Sequence, residues 1–222
     1  MKLNKYIDHT LLKPIATKAD IIQLCHEAKD YQFFSVCVNS CYVSLAKAEL
    51  KDSNVKICSV IGFPLGAMST KAKVEETKQA IKDGADEIDM VINIGWLKSK
   101  DFDAVCKDIE AVKKLMPNKI LKVILETCYL EDLDIIKASE LAINSGANFI
   151  KTSTGFGTGG ATFHDVKLMK SAIKNCNVKI KASGGIRDTK TAIDYINLGI
   201  QRIGTSNGIA IVEDTDSKKD NY

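Results

Sequence analysis

The chain lacks any apolar run near the twenty or so residues that span a bilayer. Its first residues, Met1 to Lys5, hold no apolar stretch of the kind that directs secretion, so a cytoplasmic location is expected. It also lacks blocks of like charge. Against 31 basic and 28 acidic side chains, the formal charge over 222 residues is only +3. That balance argues against a nucleic-acid partner, while a mildly basic surface favours small anionic metabolites. Cysteine occurs seven times, as an odd and scattered set. No second Cys or His pair joins Cys37 and Cys41 to complete a zinc site. Reduced core thiols and no metal are expected. P-loop motifs, internal repeats, linkers and low-complexity tracts are all absent.

What the sequence does hold is a regular alternation. Short β-rich runs sit at Tyr6–Asp8, Ser35–Val38, Lys56–Ile61, Glu87–Ile92, Leu121–Leu125, Phe149–Thr152, Lys179–Ala182 and Arg202–Thr205, each followed by a helical pattern. The clearest helix carries Phe102, Val105, Ile109, Val112 and Met116 on one face and is expected to stop at Pro117. Two others should end before Gly146 and Gly199. Eight βα units in a chain with 45% hydrophobic residues predict one (β/α)8 TIM barrel over residues 1–212. A polar tail, 213–222, should lie outside it. A doubly wound open sheet is the alternative, since element order alone does not prove closure.

Strand parity points to the interior. In the fourth strand Ile88, Met90 and Ile92 share one face, leaving Glu87, Asp89 and Val91 on the other. In the sixth strand Ile150 opposes Lys151, and in the seventh Val178 and Ile180 oppose Lys179 and Lys181. The apolar parity should pack against helices, so Asp89, Lys151 and Lys181 should point into the barrel. Charges there are costly unless paired or functional, although the lysines of strand seven would also suit a solvated rim. The C-terminal ends of barrel strands are where this fold keeps its chemistry.

Glycines crowd the last three βα loops: Gly155 to Gly160 after strand six, Gly184 and Gly185 after strand seven, and Gly204 to Gly208 around Ser206 at strand eight. Small residues let backbone N–H groups approach an anion, and loops seven and eight form a recurrent phosphate site of TIM barrels. Ordinary turn glycines are the plainer explanation for any one loop, but not for three neighbours.

Two lysines and an aspartate define the chemistry. At pH 7 a lysine of ordinary pKa is only about 0.04% neutral and a poor nucleophile. A second ammonium nearby, or burial, favours the neutral amine; a shift of roughly 3 units corresponds to about 4 kcal/mol. Lys151 and Lys181 on adjacent strands can provide such a pair, with Asp89 to orient water or carry protons. This supports carbonyl chemistry on a phosphorylated substrate and leaves open which lysine becomes covalent.

At this point a resemblance enters. Ile7 to Pro14 (Ile-Asp-His-Thr-Leu-Leu-Lys-Pro), Gly84 to Val91, Leu121 to Thr127, Lys151-Thr152-Ser153-Thr154-Gly155 and Lys181-Ala182-Ser183-Gly184-Gly185-Ile186-Arg187 together resemble the deoxyribose-phosphate aldolase family of Schiff-base (class I) aldolases, over about Tyr6 to Val212. The resemblance implies that Lys151 forms an imine, Lys181 supports it as the neighbouring cation, and Asp89 assists proton transfer. It implies phosphate contacts at Gly155, Gly184, Gly185 and Ser206, with Asp8 and Thr10 along the carbohydrate part of the pocket. The implied reaction converts 2-deoxy-D-ribose 5-phosphate to D-glyceraldehyde 3-phosphate and acetaldehyde with no cofactor. Tyr222, at the end of the polar tail, matches by position a C-terminal tyrosine of longer members and is a candidate for proton transfer. Asn207 and Phe156 depart from family members that carry a serine and a lysine there, which bears on phosphate affinity and not on the imine.

The expected partners are a sugar phosphate and, at most, a second copy of the chain in a homodimer; nucleic acid and membrane are not expected. His9 is placed beside the pocket, His26 and His164 in helical patterns, and Cys37 near the aldehyde end without a partner base. Lys122 has inward parity, with Glu126 as its expected partner. Rival readings are an isomerase or epimerase, a transaldolase-like transfer, and a non-catalytic sugar-phosphate-binding barrel.

Overall fold

The computed structural model describes residues 2–174 and 176–215. Eight parallel strands close on themselves in chain order: β1 (Ile7–Leu11), β2 (Ser35–Val38), β3 (Lys56–Ile61), β4 (Glu87–Val91), β5 (Ile120–Ile124), β6 (Phe149–Lys151), β7 (Lys179–Ser183) and β8 (Arg202–Thr205). β8 pairs back to β1, which selects the TIM barrel over the open sheet. Closure leaves no strand edge unpaired.

The ring of helices comprises α1 (Lys18–Asp30), α2 (Val43–Glu49), α3 (Thr70–Asp83), α4 (Ile94–Lys98), α5 (Phe102–Lys113), α6 (Asp132–Asn144), α7 (Phe163–Ala172), α8 (Thr189–Leu198) and α9 (Gly208–Glu213). Their starts are chemically marked. Thr17 and Asp20 form a reciprocal capping box on α1, and Ser69, Asp101, Thr162 and Asp188 accept backbone N–H groups at the starts of α3, α5, α7 and α8. Their ends are marked by glycine: Gly84 and Gly199 stop α3 and α8 in the left-handed region, where a side chain would be strained.

Strand boundaries differ from the sequence reading mainly in β1, expected at Tyr6–Asp8. The strand runs on to Leu11 because His9, Thr10 and Leu11 pair with Val36, Cys37 and Val38 of β2, and a polar pair is not visible as a strand in hydropathy. The expected helix ending at Pro117 stops earlier, at Lys113. Met116 is nevertheless buried, beyond the last helical turn. Between barrel and helices lies the main apolar core, with Ile88, Met90, Ile150, Ile180 and Ile203 as its strand layer. Among the described residues no helix is long and apolar enough to cross a membrane.

Candidate active site

The strand parity that sends Ile88 and Met90 into that core turns Asp89 inward. The same holds for Lys122, Lys151, Lys181 and Arg202 on β5 to β8. Register aligns them: Asp89 lies opposite Lys122, Lys151 opposite Lys181, and Lys181 opposite Arg202. The result is a charged column inside the barrel, buried throughout.

One carboxylate is the hub. Asp89 Oδ2 lies 2.8 Å from Lys151 Nζ and 2.9 Å from Lys181 Nζ, while Oδ1 lies 2.8 Å from Lys122 Nζ. The Cys58 thiol also donates to Oδ1, at 3.0 Å. Burial would raise the Asp89 pKa, but the three ammonium groups outweigh it and hold the carboxyl well below the ordinary range. Lys181 is in turn clamped by Asp8 Oδ2 at 2.6 Å. Burial works against its charge, yet Asp8 and Asp89 prevail and raise its pKa, so Lys181 remains an ammonium. Beneath them Arg202 bridges Asp8 (2.6 Å) and Glu87 (2.9 Å), and Lys122 reaches Glu87 at 2.5 Å. The Arg202 guanidinium lies over the Phe34 ring, 3.2 Å from its centroid, which closes the bottom of the column.

The sequence-derived candidates therefore separate. Asp89, Lys151 and Lys181 meet at hydrogen-bond distance. Asp8, expected along the carbohydrate pocket, is fully buried, with its carboxylate engaged by Lys181, Arg202 and Ser35. Thr10 lies nearer the mouth, its hydroxyl donating to the Asp8 carbonyl at 2.8 Å. Glu126, expected to pair with Lys122, instead accepts from the Thr154 backbone N–H at 3.0 Å and from the Thr154 hydroxyl, anchoring the loop after β6. His9 faces away from the interior and binds Glu27 of α1 at 2.7 Å. Cys37 stands opposite Cys58 across β2 and β3, and with Leu12, Val60 and Phe63 these two thiols form an apolar wall inside the barrel. Tyr222 lies outside the described residues. Arg202 is not evident from the sequence because strand eight is short and Ile203 is its one large apolar residue, too little for an alternation to be read.

The three glycine loops are tied together. Ser183 donates to the Ser153 carbonyl at 2.6 Å, Ala161 N–H to the Ser183 carbonyl at 3.0 Å, and Thr205 to the Ile186 carbonyl at 2.8 Å. Gly155, Gly184 and Gly185 all take positive φ, at 88°, 85° and 82°. A Cβ on Gly155 or Gly185 would meet no atom within 4 Å, so these two face open space. Ser206 lines a cavity of about 20 Å³ with Thr10, Lys13, Thr154 and Phe156. Phe156 also borders an adjoining cavity of about 60 Å³ with Leu65, Ile94 and Tyr129. It packs edge-on against Phe63, with centroids 5.3 Å apart.

A closed parallel barrel whose buried interior holds lysines in contact with a carboxylate defines the class, a TIM barrel equipped for amine chemistry. The comparisons narrow it. The profile of the DeoC/LacD family aldolases matches residues 2–211. A deoxyribose-phosphate aldolase of Finegoldia magna is 59% identical over 213 residues, covering 96% of this chain and all of the relative. One from Clostridium novyi is 56% identical with both chains fully covered. The solved tetrameric deoxyribose phosphate aldolase of Aeropyrum pernix superposes with a TM-score of 0.89 at 34% identity, covering 95% of this chain and 89% of that one. The chain belongs to the DeoC/LacD aldolase family and is a carbon–carbon lyase.

Proposed function

We propose that the chain reversibly cleaves 2-deoxy-D-ribose 5-phosphate to D-glyceraldehyde 3-phosphate and acetaldehyde through an imine on Lys151, in the cytoplasmic breakdown of deoxyribose phosphate. The observation that carries this reading is the sharing of Asp89 Oδ2 by Lys151 and Lys181, at 2.8 and 2.9 Å.

Ion pairing supports Lys151 as the nucleophile. Four cations (Lys122, Lys151, Lys181, Arg202) form direct ion pairs with three carboxylates (Asp8, Glu87, Asp89) among the described residues. Lys122, Lys181 and Arg202 each contact two of those carboxylates; among the described residues Lys151 contacts one. Lys151 is therefore, among the described residues, the cation of the column held by the fewest carboxylates.

The neutral amine adds to the C1 aldehyde of the open-chain sugar and water leaves. The resulting protonated imine accepts the electrons of the C2–C3 bond as the C3 hydroxyl gives up its proton, releasing D-glyceraldehyde 3-phosphate. Protonation of the enamine at C2 and hydrolysis free acetaldehyde. Asp89, held ionised by three cations, is a weak base; its part is to orient water that carries these protons. The imine is the electron sink, so the reading calls for no cofactor. Phosphate is assigned to the cradle of Gly155, Gly184, Gly185 and Ser206, with Thr10 beside the carbohydrate. A homodimer belongs to the same proposal, with sedimentation equilibrium as its check.

Borohydride trapping tests the reading. With acetaldehyde or the sugar phosphate, reduction should fix an adduct on Lys151, and Lys151→Ala should lose both adduct and cleavage. An adduct mapped to Lys181 with Lys151 unmodified overturns it.

A further inference from the structure

The phosphate cradle of the proposed function carries no formal charge. Gly155, Gly184, Gly185, Ser206 and Asn207 offer N–H, hydroxyl and amide groups only. A phosphate monoester brings about 1.5 to 2 negative charges at neutral pH, and a site with no cation would bind it weakly. The lysines deeper in the barrel are already engaged with carboxylates. Arg187, two residues beyond Gly185, lines neither cavity at the mouth.

Lys13 meets the need. It follows β1 and lines the same cavity as Ser206, Thr10 and Thr154. Its backbone is fixed on both sides. The Leu12 carbonyl accepts from the Asn39 amide at 3.3 Å, and the Lys13 carbonyl closes a turn with Ala16 N–H at 3.1 Å. The Tyr42 hydroxyl then holds the Ala16 carbonyl at 2.6 Å. Leu12 itself is buried in the apolar wall with Cys37, Cys58 and Val60. Among the described residues no carboxylate pairs with Lys13, whereas the lysines of the column are all paired. A half-buried lysine with no carboxylate partner among the described residues, on an anchored loop that shares a cavity with Ser206 of the cradle, is poised for an anion; its flexible stem and three donors suit a phosphate.

We infer that Lys13 is the cation that binds the substrate's phosphate and sets the preference for phosphorylated over unphosphorylated sugar. The inference rests on the aldolase reading. It gives Lys13 a role in binding and none in bond cleavage.

The test compares wild type, Lys13→Gln and Lys13→Arg. KM for deoxyribose 5-phosphate should rise about tenfold to a hundredfold in Lys13→Gln, the loss of one charge-assisted contact, with kcat falling far less. The kcat/KM for unphosphorylated deoxyribose should fall by less than about threefold, since that substrate makes no such contact. The dissociation constant for inorganic phosphate, read by calorimetric titration, should weaken by the same factor as KM. Lys13→Arg should restore most of both. Unchanged phosphate affinity in Lys13→Gln, or equal losses on the two substrates, overturns the inference. Borohydride trapping with acetaldehyde keeps the two readings apart. A wild-type enzyme that forms no imine refutes the aldolase proposal, while the phosphate titration still decides the role of Lys13.

Discussion

Replacing Lys181 by methionine removes one cation from the column and keeps an unbranched chain of similar length. Both ammonium groups touch Asp89 Oδ2, at 2.8 and 2.9 Å, so they lie within about 6 Å of each other. At an effective dielectric of about 20, two unit charges about 6 Å apart repel by about 3 kcal/mol, roughly a hundredfold in an equilibrium constant. In the variant that repulsion on Lys151 is gone, and the proposed imine should form less readily. The proposed imine formation, and with it kcat/KM at pH 7, should slow by about a hundredfold. The fold should bear the change at a cost of about 3 kcal/mol. Asp8 keeps Arg202 and Ser35, and Asp89 keeps Lys122 and Lys151. The assay is a pH–rate profile coupled to release of D-glyceraldehyde 3-phosphate, with urea midpoints to account for stability. A Lys181→Met profile that superimposes on wild type, or near-normal turnover at pH 7, would refute the electrostatic argument.

Two further predictions concern stability. Lys73 of α3 is fully buried, 2.5 Å from Asp108 of α5 and 2.9 Å from the Val91 carbonyl at the end of β4. Lys73→Met strands the Asp108 carboxylate and should cost about 3 to 5 kcal/mol by urea unfolding, with much of it recovered in Lys73→Met/Asp108→Leu; a loss below about 1 kcal/mol would count against the pair. Asp8 and Asp89 have folded pKa values held below the ordinary range, so their contribution is complete above the unfolded value near 4 and is lost as pH falls through the folded values. The urea midpoint should therefore fall steeply below about pH 4, and Asp8→Asn should flatten that dependence; an unchanged slope would remove Asp8 from the acid response.

Much of the barrel was legible because its signals are local. Alternation of Ile88, Met90 and Ile92 with Glu87, Asp89 and Val91 fixes which face of β4 turns inward, whatever lies across the barrel. Glycine and capping residues mark helix ends within a few residues of their true places, as Gly199 does for α8. Where a polar pair continued a strand, as with His9 and Thr10, hydropathy failed and only pairing with β2 defined the element. Glu126 was misassigned to Lys122 for a related reason: the strand ends at Ile124, and Glu126 sits in a left-handed turn that carries its carboxylate to Thr154.

The sequence by itself determined the alternation of strand and helix, the inward charges, and the glycine loops at one end. It also held the motifs around Lys151 and Lys181, because these are matters of parity, spacing and residue type within short windows. Which charge meets which was decided by closure of the barrel. Asp8 and Arg202 are 194 residues apart in the chain, and Asp89 and Lys181 are 92 apart, yet each pair is in contact. Only the three-dimensional pairing leaves Lys151, among the described residues, with one carboxylate contact and its neighbours with two, and only it brings Lys13 and Ser206 to one cavity. An ion pair depends on distance through space and on the dielectric around it, and neither quantity is written along the chain.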